Sequence, residues 1–198
     1  MATAEQIISD WMTADEEKEN FYSTHKGLVL RWLNEAQLRY ADKSEMLRGI
    51  WTPTLTNGSV ALPSDFIREF EDRVKKSATE YVALMKIDYQ DGNLINWGSA
   101  ELCYSIYNGY LYCWGGVGSP VIPYIKKPST LSISSTIELP TQYHSNLIIY
   151  LDAMYLKQTK DYQGYTVLLG QFDNNAEEEG SKERKRIEGK KSMRVSVL

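Results

Sequence analysis

Cysteine is the most versatile reactive residue type in this chain, and both copies, Cys103 and Cys113, lie in the stretch CYSIYNGYLYCW. Asn108-Gly109 separates two runs of aromatic and β-branched residues, which predicts a β-hairpin with a two-residue turn. In that register Cys103 faces Trp114 and Tyr104 faces Cys113, so the two thiols lie on opposite faces and do not form a disulfide. Further metal ligands at close spacing are missing from the stretch. We therefore predict two free, packed thiols, with no metal and no cofactor.

The two histidines, His25 and His144, do not have the spacing of a zinc site. His144 shares a predicted helix with Ser145 and Asp152, but nothing in the sequence places the three in a proton relay. A partly exposed helical histidine is the favoured interpretation. The sequence therefore gives no catalytic residue here.

Two short patterns resemble functional motifs but are incomplete. Residues 23–26, STHK, match the S-x-x-K spacing without the companion motifs of the penicillin-binding proteins. Asp88, Asp91 and Asn93 around Gly92 supply half of a calcium loop, without its regular oxygen ligands and closing Glu. A hairpin turn at Asp91-Gly92 accounts for them better, so we predict that the protein is not an enzyme.

Length and hydropathy suit one globular domain or two small ones. The chain has 198 residues, contains no apolar run near the ~20 residues that a membrane span needs, and begins without the basic and apolar regions of a signal peptide. Two unpaired cysteines agree with a reducing compartment. We expect synthesis in a cytosol and no contact with a membrane.

Charge is distributed unevenly along the chain. The net charge is −4, but from Ser181 onward seven basic residues accompany two glutamates, giving +5 there and −9 for the remainder. The basic residues are Lys182, Arg184, Lys185, Arg186, Lys190, Lys191 and Arg194. Such a segment attracts an acidic partner or a polyanion. The alternative is a solvated, disordered end.

Periodicity predicts helices at both ends of the chain. Leu28, Trp32, Leu33, Ala36 and Tyr40 form an apolar stripe on a helix that runs to about residue 41. Two capping boxes, Thr3 with Gln6 and Thr13 with Glu16, predict helix starts. In the second half, apolar residues spaced by three and four predict one helix from Pro140 to about residue 160 and a final helix through Phe172 that frays near residues 177–180.

The middle of the chain predicts an antiparallel β subdomain. A second hairpin is centred on Asn57-Gly58, strands are expected at residues 81–89 and 121–125, and residues 66–76 suit either a strand or a short helix. We predict an α+β fold in which N- and C-terminal helices form one bundle. The expected parts are helices at 1–50, β subdomain at 51–137, helices at 138–176, and an extended or disordered basic tail at 177–198.

One face of the central hairpin is aromatic. It carries Tyr107, Tyr110, Tyr112 and Trp114. Rigid aromatic side chains are favoured at interfaces. Sugar binding, packing against another subunit or neck protein, and an ordinary core each remain open for this face.

Three stretches in succession carry a family resemblance. They are LRWLNEAQLRYADKS at residues 30–44, ALPSDF at 61–66, and ELPTQYHSNLIIYLDAMYLKQTKDYQGYTVLLGQFDN at 138–174. Their order resembles the head-to-tail adaptor proteins of tailed bacteriophages, also called connector or head completion proteins. In that family an Asn-Glu-Ala-Gln-like helix, a Leu-Pro-x-Asp-Phe turn, and a Tyr-His-x-x-Leu helix followed by a helix ending in Phe recur in this order.

The resemblance implies a structural protein of the virion neck, assembled in the host cytoplasm. Such proteins form a ring, commonly of twelve copies, beneath the portal and continue the DNA channel towards the tail. The implied partners are the portal, neighbouring copies, the next neck or tail protein, and passing double-stranded DNA without sequence specificity. An acidic body suits a channel wall on which DNA slides, because each neutralised phosphate adds affinity.

In this setting the C-terminal segment is expected to dock on the portal. The seven basic residues would meet acidic portal surface, and Val195, Val197 and Leu198 would add a strand or fill a groove. Two alternatives remain: a tail-completion protein one tier further down the neck, and a carbohydrate- or receptor-binding module that uses the aromatic sheet.

Overall fold

A computed structural model describes the backbone of residues 2–13, 15–70, 74–79, 82–94 and 102–195. The side chains of residues 93–94 and 187–195 fall outside the description. Two compact units result: a helical unit of Met1–Leu47 with Lys127–Leu198, and a β unit of Arg48–Lys126. Along the sequence, helices precede and follow the residues that form the sheets. This order confirms the predicted α+β class. Within the described residues, no helix combines the length and apolar character needed to span a bilayer.

Four α-helices are found in the described residues of the helical unit. They are α1 (Ala4–Met12), α2 (Glu16–Ser44), α4 (His144–Gln158), which follows a 3-10 turn at Thr141–Tyr143, and α5 (Tyr162–Val195). Their apolar stripes meet in one core, whose largest fully buried side chains include Trp11, Leu33, Tyr40 and Phe172. The predicted stripe on α2 therefore forms the centre of this unit.

The starts of α1 and α2 differ in how well the sequence predicted them. Thr3 caps α1, with its hydroxyl accepting a hydrogen bond from the Gln6 N–H at 3.2 Å, as expected. The predicted cap at Thr13 is wrong, because Asp15 is the N-cap of α2. Its carboxylate accepts from the N–H groups of Glu17 and Lys18, both at 3.1 Å. A carboxylate satisfies two free N–H groups and also complements the positive end of the helix dipole.

A kink interrupts α2 at His25, whose φ and ψ of −125° and 31° are not helical. The His25 Nδ1 lies 3.0 Å from the carbonyl oxygen of Phe21, and the two rings stack with centroids 4.3 Å apart. The kink therefore occurs where a side chain enters the backbone hydrogen-bond ladder.

The described residues of the β unit form two sheets. The strands are β1 (Arg48–Trp51), β2 (Ser59–Ala61), β3 (Phe66–Glu69), β4 (Met85–Lys86), β5 (Cys103–Tyr107), β6 (Tyr110–Trp114) and β7 (Ile122–Lys126). One sheet has the order β1-β7-β3 and the other β2-β6-β5-β4, with every pair antiparallel except β4 with β5. The central hairpin has the predicted register, with Cys103 opposite Trp114 and Tyr104 opposite Cys113. Both cysteines are buried free thiols.

The strand predicted for residues 81–89 is largely wrong. Tyr81 lies outside the described residues, β4 covers only Met85–Lys86, and Tyr89 begins a short helix, α3 (Tyr89–Leu94). The turn predicted at Asp91-Gly92 lies inside that helix. A Cβ on Gly92 would come within 2.4 Å of the Trp114 ring, so glycine lets α3 approach the sheet closely.

The predicted extended tail is also wrong, because α5 continues as a helix to Val195. Exposed pairs along the helix support it: Lys182 with Glu178 at 2.9 Å, and Arg186 with Glu183 at 2.6 Å. Arg184 reaches across to the buried carboxylate of Glu45, just past the end of α2, at 2.9 Å. These contacts hold the helix beyond the residue at which the sequence alone predicts fraying. Val197 and Leu198 lie outside the described residues.

Gly180 and Gly170 provide a matched test of how closely α5 packs on α2. A Cβ at Gly180 would lie 2.7 Å from the Ser44 carbonyl oxygen, whereas a Cβ at Gly170 would meet no atom within 4 Å. We expect Gly180→Ala to lower the free energy of unfolding by about 1–3 kcal/mol through overpacking. Gly170→Ala should raise it by about 0.5–1 kcal/mol, because alanine favours a helix interior. Urea unfolding followed by far-UV circular dichroism measures both, and two changes of the same sign would contradict this packing.

Candidate interaction surfaces

The Asn-Glu-Ala-Gln stretch of α2 fixes an irregular segment to the helix. The Asn34 side chain accepts a hydrogen bond from the Leu131 N–H at 2.7 Å and donates to the Leu131 carbonyl at 3.3 Å. Gln37, which is 1% exposed, donates to the Ser129 carbonyl at 2.7 Å. Because residues 127–140 form no strand and no helix, these side chains supply partners that the segment's backbone needs.

The Leu-Pro-x-Asp-Phe turn fixes a tyrosine in the β unit. The Tyr124 hydroxyl donates to the Asp65 carboxylate, with distances of 3.1 and 3.2 Å to its two oxygens, and Phe66 stacks on the Tyr124 ring with centroids 5.5 Å apart. A Cβ at Gly49 would lie 2.4 Å from that ring, so glycine in β1 makes room for it. This motif is therefore structural.

The Tyr-His helix also has a structural role. The His144 Nε2–H donates to the Leu139 carbonyl at 2.9 Å, and His144 is buried, which differs from the partly exposed histidine that the sequence predicted. Asp152 accepts instead from the Trp11 indole N–H at 2.8 Å and from the Lys18 ammonium at 2.7 Å. His144 and Asp152 thus serve different partners and form no relay. Among the described residues, no group of acidic, histidine or cysteine side chains is arranged to hold a metal ion.

Ion pairs between α2 and α5 were not predicted from the sequence. The Arg39 guanidinium donates to both Asp173 carboxylate oxygens, at 2.7 and 2.6 Å, and the Lys43 ammonium lies 2.6 Å from Glu177. The hydrogen bond that Arg39 donates to Asp173 raises the pKa of Arg39, and the one that Lys43 donates to Glu177 raises the pKa of Lys43. The only sequence signal was a basic residue repeated four positions apart beside the apolar stripe of α2.

The aromatic face of the hairpin is only partly open. Tyr107 and Tyr110, beside the turn, are 54% and 45% exposed, whereas Tyr112 and Trp114 are half-buried. Tyr89 of α3 covers part of the face, because its ring stacks on Tyr107 at 4.6 Å and lies 4.5 Å from Tyr112. The structure therefore brings the four predicted residues together but leaves mainly the two at the tip accessible.

The predicted basic segment lies almost wholly on α5. Lys182, Arg184, Lys185 and Arg186 are exposed. Three of them already have carboxylate partners: Lys182 with Glu178, Arg184 with Glu45, and Arg186 with Glu183. Lys190, Lys191, Arg194 and Val195 belong to the last turns of the helix, where side chains are not described. Helical backbone at Val195 does not fit the expected strand addition through that residue.

The comparison with protein families agrees with these motifs. A family model described as SU10 adaptor protein matches residues 3–194, which span both units. The chain belongs to the SU10 adaptor protein family. This is a family of phage head-to-tail adaptors, so the predicted resemblance is confirmed. No curated protein matches the chain significantly.

Membership of the SU10 adaptor family makes the chain a phage structural adaptor that acts with other phage head and tail proteins. The three motifs that carried the resemblance serve the packing of each unit: Asn34 and Gln37 fix a segment, Asp65 and Phe66 fix Tyr124, and His144 fixes the turn before α4. The motifs therefore maintain the packing within each unit.

We expect Asn34→Ala to lower the free energy of unfolding by about 1–3 kcal/mol, because it leaves the Leu131 backbone groups without partners. Asn174→Ala is the matched control, since Asn174 is exposed on α5 and should change stability by less than about 0.5 kcal/mol. Chemical unfolding of both variants tests this, and equal effects would show that Asn34 does not fix the segment.

The cysteines should be unreactive in the folded protein. Burial raises the pKa of the Cys113 thiol to about 12, and Cys103 is fully buried beside it. At pH 8 the thiolate fraction of Cys113 is then on the order of a thousandfold below that of a free cysteine with pKa ~8.5. Ellman's reagent should label neither thiol before urea is added and both afterwards. Rapid labelling without urea would contradict the described burial.

Proposed function

We propose that this adaptor assembles as a ring of twelve copies beneath the portal, extends the DNA channel and joins the head to the tail. The observation that carries the proposal is the family match across residues 3–194, which includes both units and all of α5 except its last residue. Its role is structural rather than catalytic. It resides in the neck of the virion and is assembled in the host cytoplasm.

The portal contact uses the C-terminal part of α5 and the residues that follow it. The seven basic residues from Lys182 to Arg194 share one continuous helix, so they would meet an acidic portal surface as a preformed element. A preformed helix loses less conformational entropy on binding than an extended tail would. Val197 and Leu198 follow directly and are available for a groove on the portal.

Charge elsewhere on the chain suits passage of DNA. The part of the chain before Ser181 carries a net charge of −9. Exposed acidic residues gather on α1 and near the start of α2, at Glu5, Asp10, Glu16, Glu17 and Glu19. An acidic wall repels phosphate and so keeps duplex DNA from adhering, whatever its sequence.

The aromatic tip of the hairpin is proposed as the contact with the next neck or tail protein or with a neighbouring copy. Tyr107 and Tyr110 are exposed, while Tyr112 and Trp114 support them from the sheet. Packing by Tyr89 holds the Tyr107 ring in place before any partner arrives. Rigid tyrosines give large contact area at low entropic cost.

Co-sedimentation with portal rings from the same phage, followed by electron microscopy, tests the proposal. The full chain should cap the tail-facing end of the portal. A variant with Lys190, Lys191 and Arg194 changed to Ser should bind about tenfold or more weakly, because it loses attraction to an acidic surface. The difference in affinity for portal rings between the unaltered chain and this variant should become smaller as the salt concentration is raised.

The matched control changes the exposed residues Lys26, Lys157 and Lys160 to Ser, which removes the same charge from other parts of the helical unit. This control should bind like the unaltered chain. Equal weakening in both variants would show that net charge, not the end of α5, governs portal binding. A folded, soluble chain that never binds portal rings would overturn the proposed position in the neck.

A further inference from the structure

α2 separates two flanks of the helical unit. Arg39 and Lys43 pair with Asp173 and Glu177 of α5. Asn34 and Gln37 hold the segment at Leu131 and Ser129. At about 100° of rotation per residue, these two pairs of α2 residues lie on nearly opposite sides of the helix. α5 and the segment therefore belong to opposite flanks.

The outward face of α5 between residues 162 and 174 carries no charge. All exposed residues between 162 and 174 are uncharged: Tyr162, Gln163, Thr166, Val167, Gly170, Gln171 and Asn174. Tyr162 is 62% exposed and Val167 is 64% exposed. We call these seven residues the α5 surface. Interface centres are depleted of charge and enriched in aromatic side chains, so this composition fits a buried contact.

The opposite flank has a second surface of the same character. All exposed residues between 129 and 136 are uncharged: Ser129, Thr130, Ser132, Ile133, Ser134 and Thr136. Ile133 is 40% exposed. We call these six residues the segment surface. The start of α1 holds it in place, because the Glu5 N–H donates to the Ile133 carbonyl at 3.0 Å and the Ala4 N–H donates to the Ser135 carbonyl at 2.9 Å.

The two surfaces lie at similar heights along α2. Arg39 pairs with Asp173, and Lys43 pairs with Glu177, so a step of four residues along α2 matches a step of four residues along α5. The two helices therefore run parallel. Extended towards the N-termini of both helices, the same pairing places the α5 surface beside the part of α2 that includes Asn34 and Gln37. Those two residues hold the other flank. Copies placed side by side at one height would bring the two uncharged surfaces together.

Charges just beyond the two surfaces, towards the C-terminal end of α2, are complementary. Beyond the α5 surface, towards the C-terminus of α5, lies Glu178, whose side chain is 66% exposed and pairs with Lys182, whose side chain is 59% exposed. At the corresponding end of the segment surface lies Lys127, which is exposed. Because an exposed intrahelical pair is worth little, Glu178 remains available for a second cation.

We infer that the α5 surface of one copy packs against the segment surface of the next copy, with Glu178 facing Lys127. The occupant of each surface is thus a second copy of this chain. A contact between two different surfaces is heterologous: each copy offers one surface to the copy before it and the other to the copy after it. A row of such copies that closes on itself gives a ring. This inference rests on the proposed ring and identifies the residues through which it closes.

Cysteine cross-linking of rings assembled on portal tests the contact. A chain carrying both Val167→Cys and Ile133→Cys, treated with a short bis-maleimide, should give a ladder of covalent oligomers. Each single variant should remain monomeric, and an equal mixture of the two single variants should stop at dimers. The native thiols are buried, so the unaltered chain is the control for background.

The outcomes separate this contact from the proposed ring. Rings visible by electron microscopy with no cross-linking of the double variant would overturn the inference and leave the ring intact. Cross-linking of a single variant with itself would also overturn it, because that indicates a two-fold contact. Failure of the unaltered chain to form rings on portal would overturn the ring and the inference together.

A charge exchange gives an independent measurement. Glu178→Lys and Lys127→Glu should each lower the yield of rings, because like charges then meet at every contact around the ring. The double variant, which keeps the net charge of the unaltered chain, should restore the yield to within about twofold, since the pair is only reversed. A double variant as poor as the singles would overturn the pairing of Glu178 with Lys127.

Discussion

Packing along α2 is the constraint on which the helical unit depends. On one side of α2, Arg39 and Lys43 bind carboxylates of α5, and near its end Gly180 of α5 lies against the Ser44 carbonyl. On another side, Asn34 and Gln37 bind the backbone of residues 129–131. The apolar stripe between these sides, with Leu33 and Tyr40, faces the core. One helix therefore fixes the positions of both α5 and the segment.

Polar side chains beside the core of α2 provide specificity that apolar burial alone does not. Apolar contact is non-directional and tolerates sliding of one helix along another. The two parallel hydrogen bonds between Arg39 and Asp173 allow one register, because the planar guanidinium matches a carboxylate at a defined position. The same reasoning applies to Asn34, whose amide satisfies both backbone groups of Leu131. Such contacts fix α5 and the segment at defined positions along α2.

The separation of charge along the chain is consistent with a protein whose function is assembly. Acidic side chains on α1 and near the start of α2, uncharged surfaces on the two flanks, and basic residues at the end of α5 divide the helical unit into regions of different partner preference. Charge directs and selects encounters, while uncharged regions supply the area that can be dehydrated on contact. A phage adaptor that acts with head and tail proteins can use both kinds of region.

The sequence by itself determined the features that arise from neighbouring residues. Helical periodicity predicted α1, α2 and α4, and Asn108-Gly109 predicted the hairpin and its register, since turn geometry and side-chain alternation are local. The succession of three motifs also predicted the adaptor family. Only the tertiary structure decided that residues 89–94 form a helix, because Gly92 finds room against Trp114. It likewise decided that α5 continues to Val195, where an ion pair between Arg184 and Glu45 joins residues far apart in the chain. The exposure of Tyr107 and Tyr110, the burial of His144 and the placement of the two uncharged flanks depend on the same kind of long-range contact, which no local pattern records.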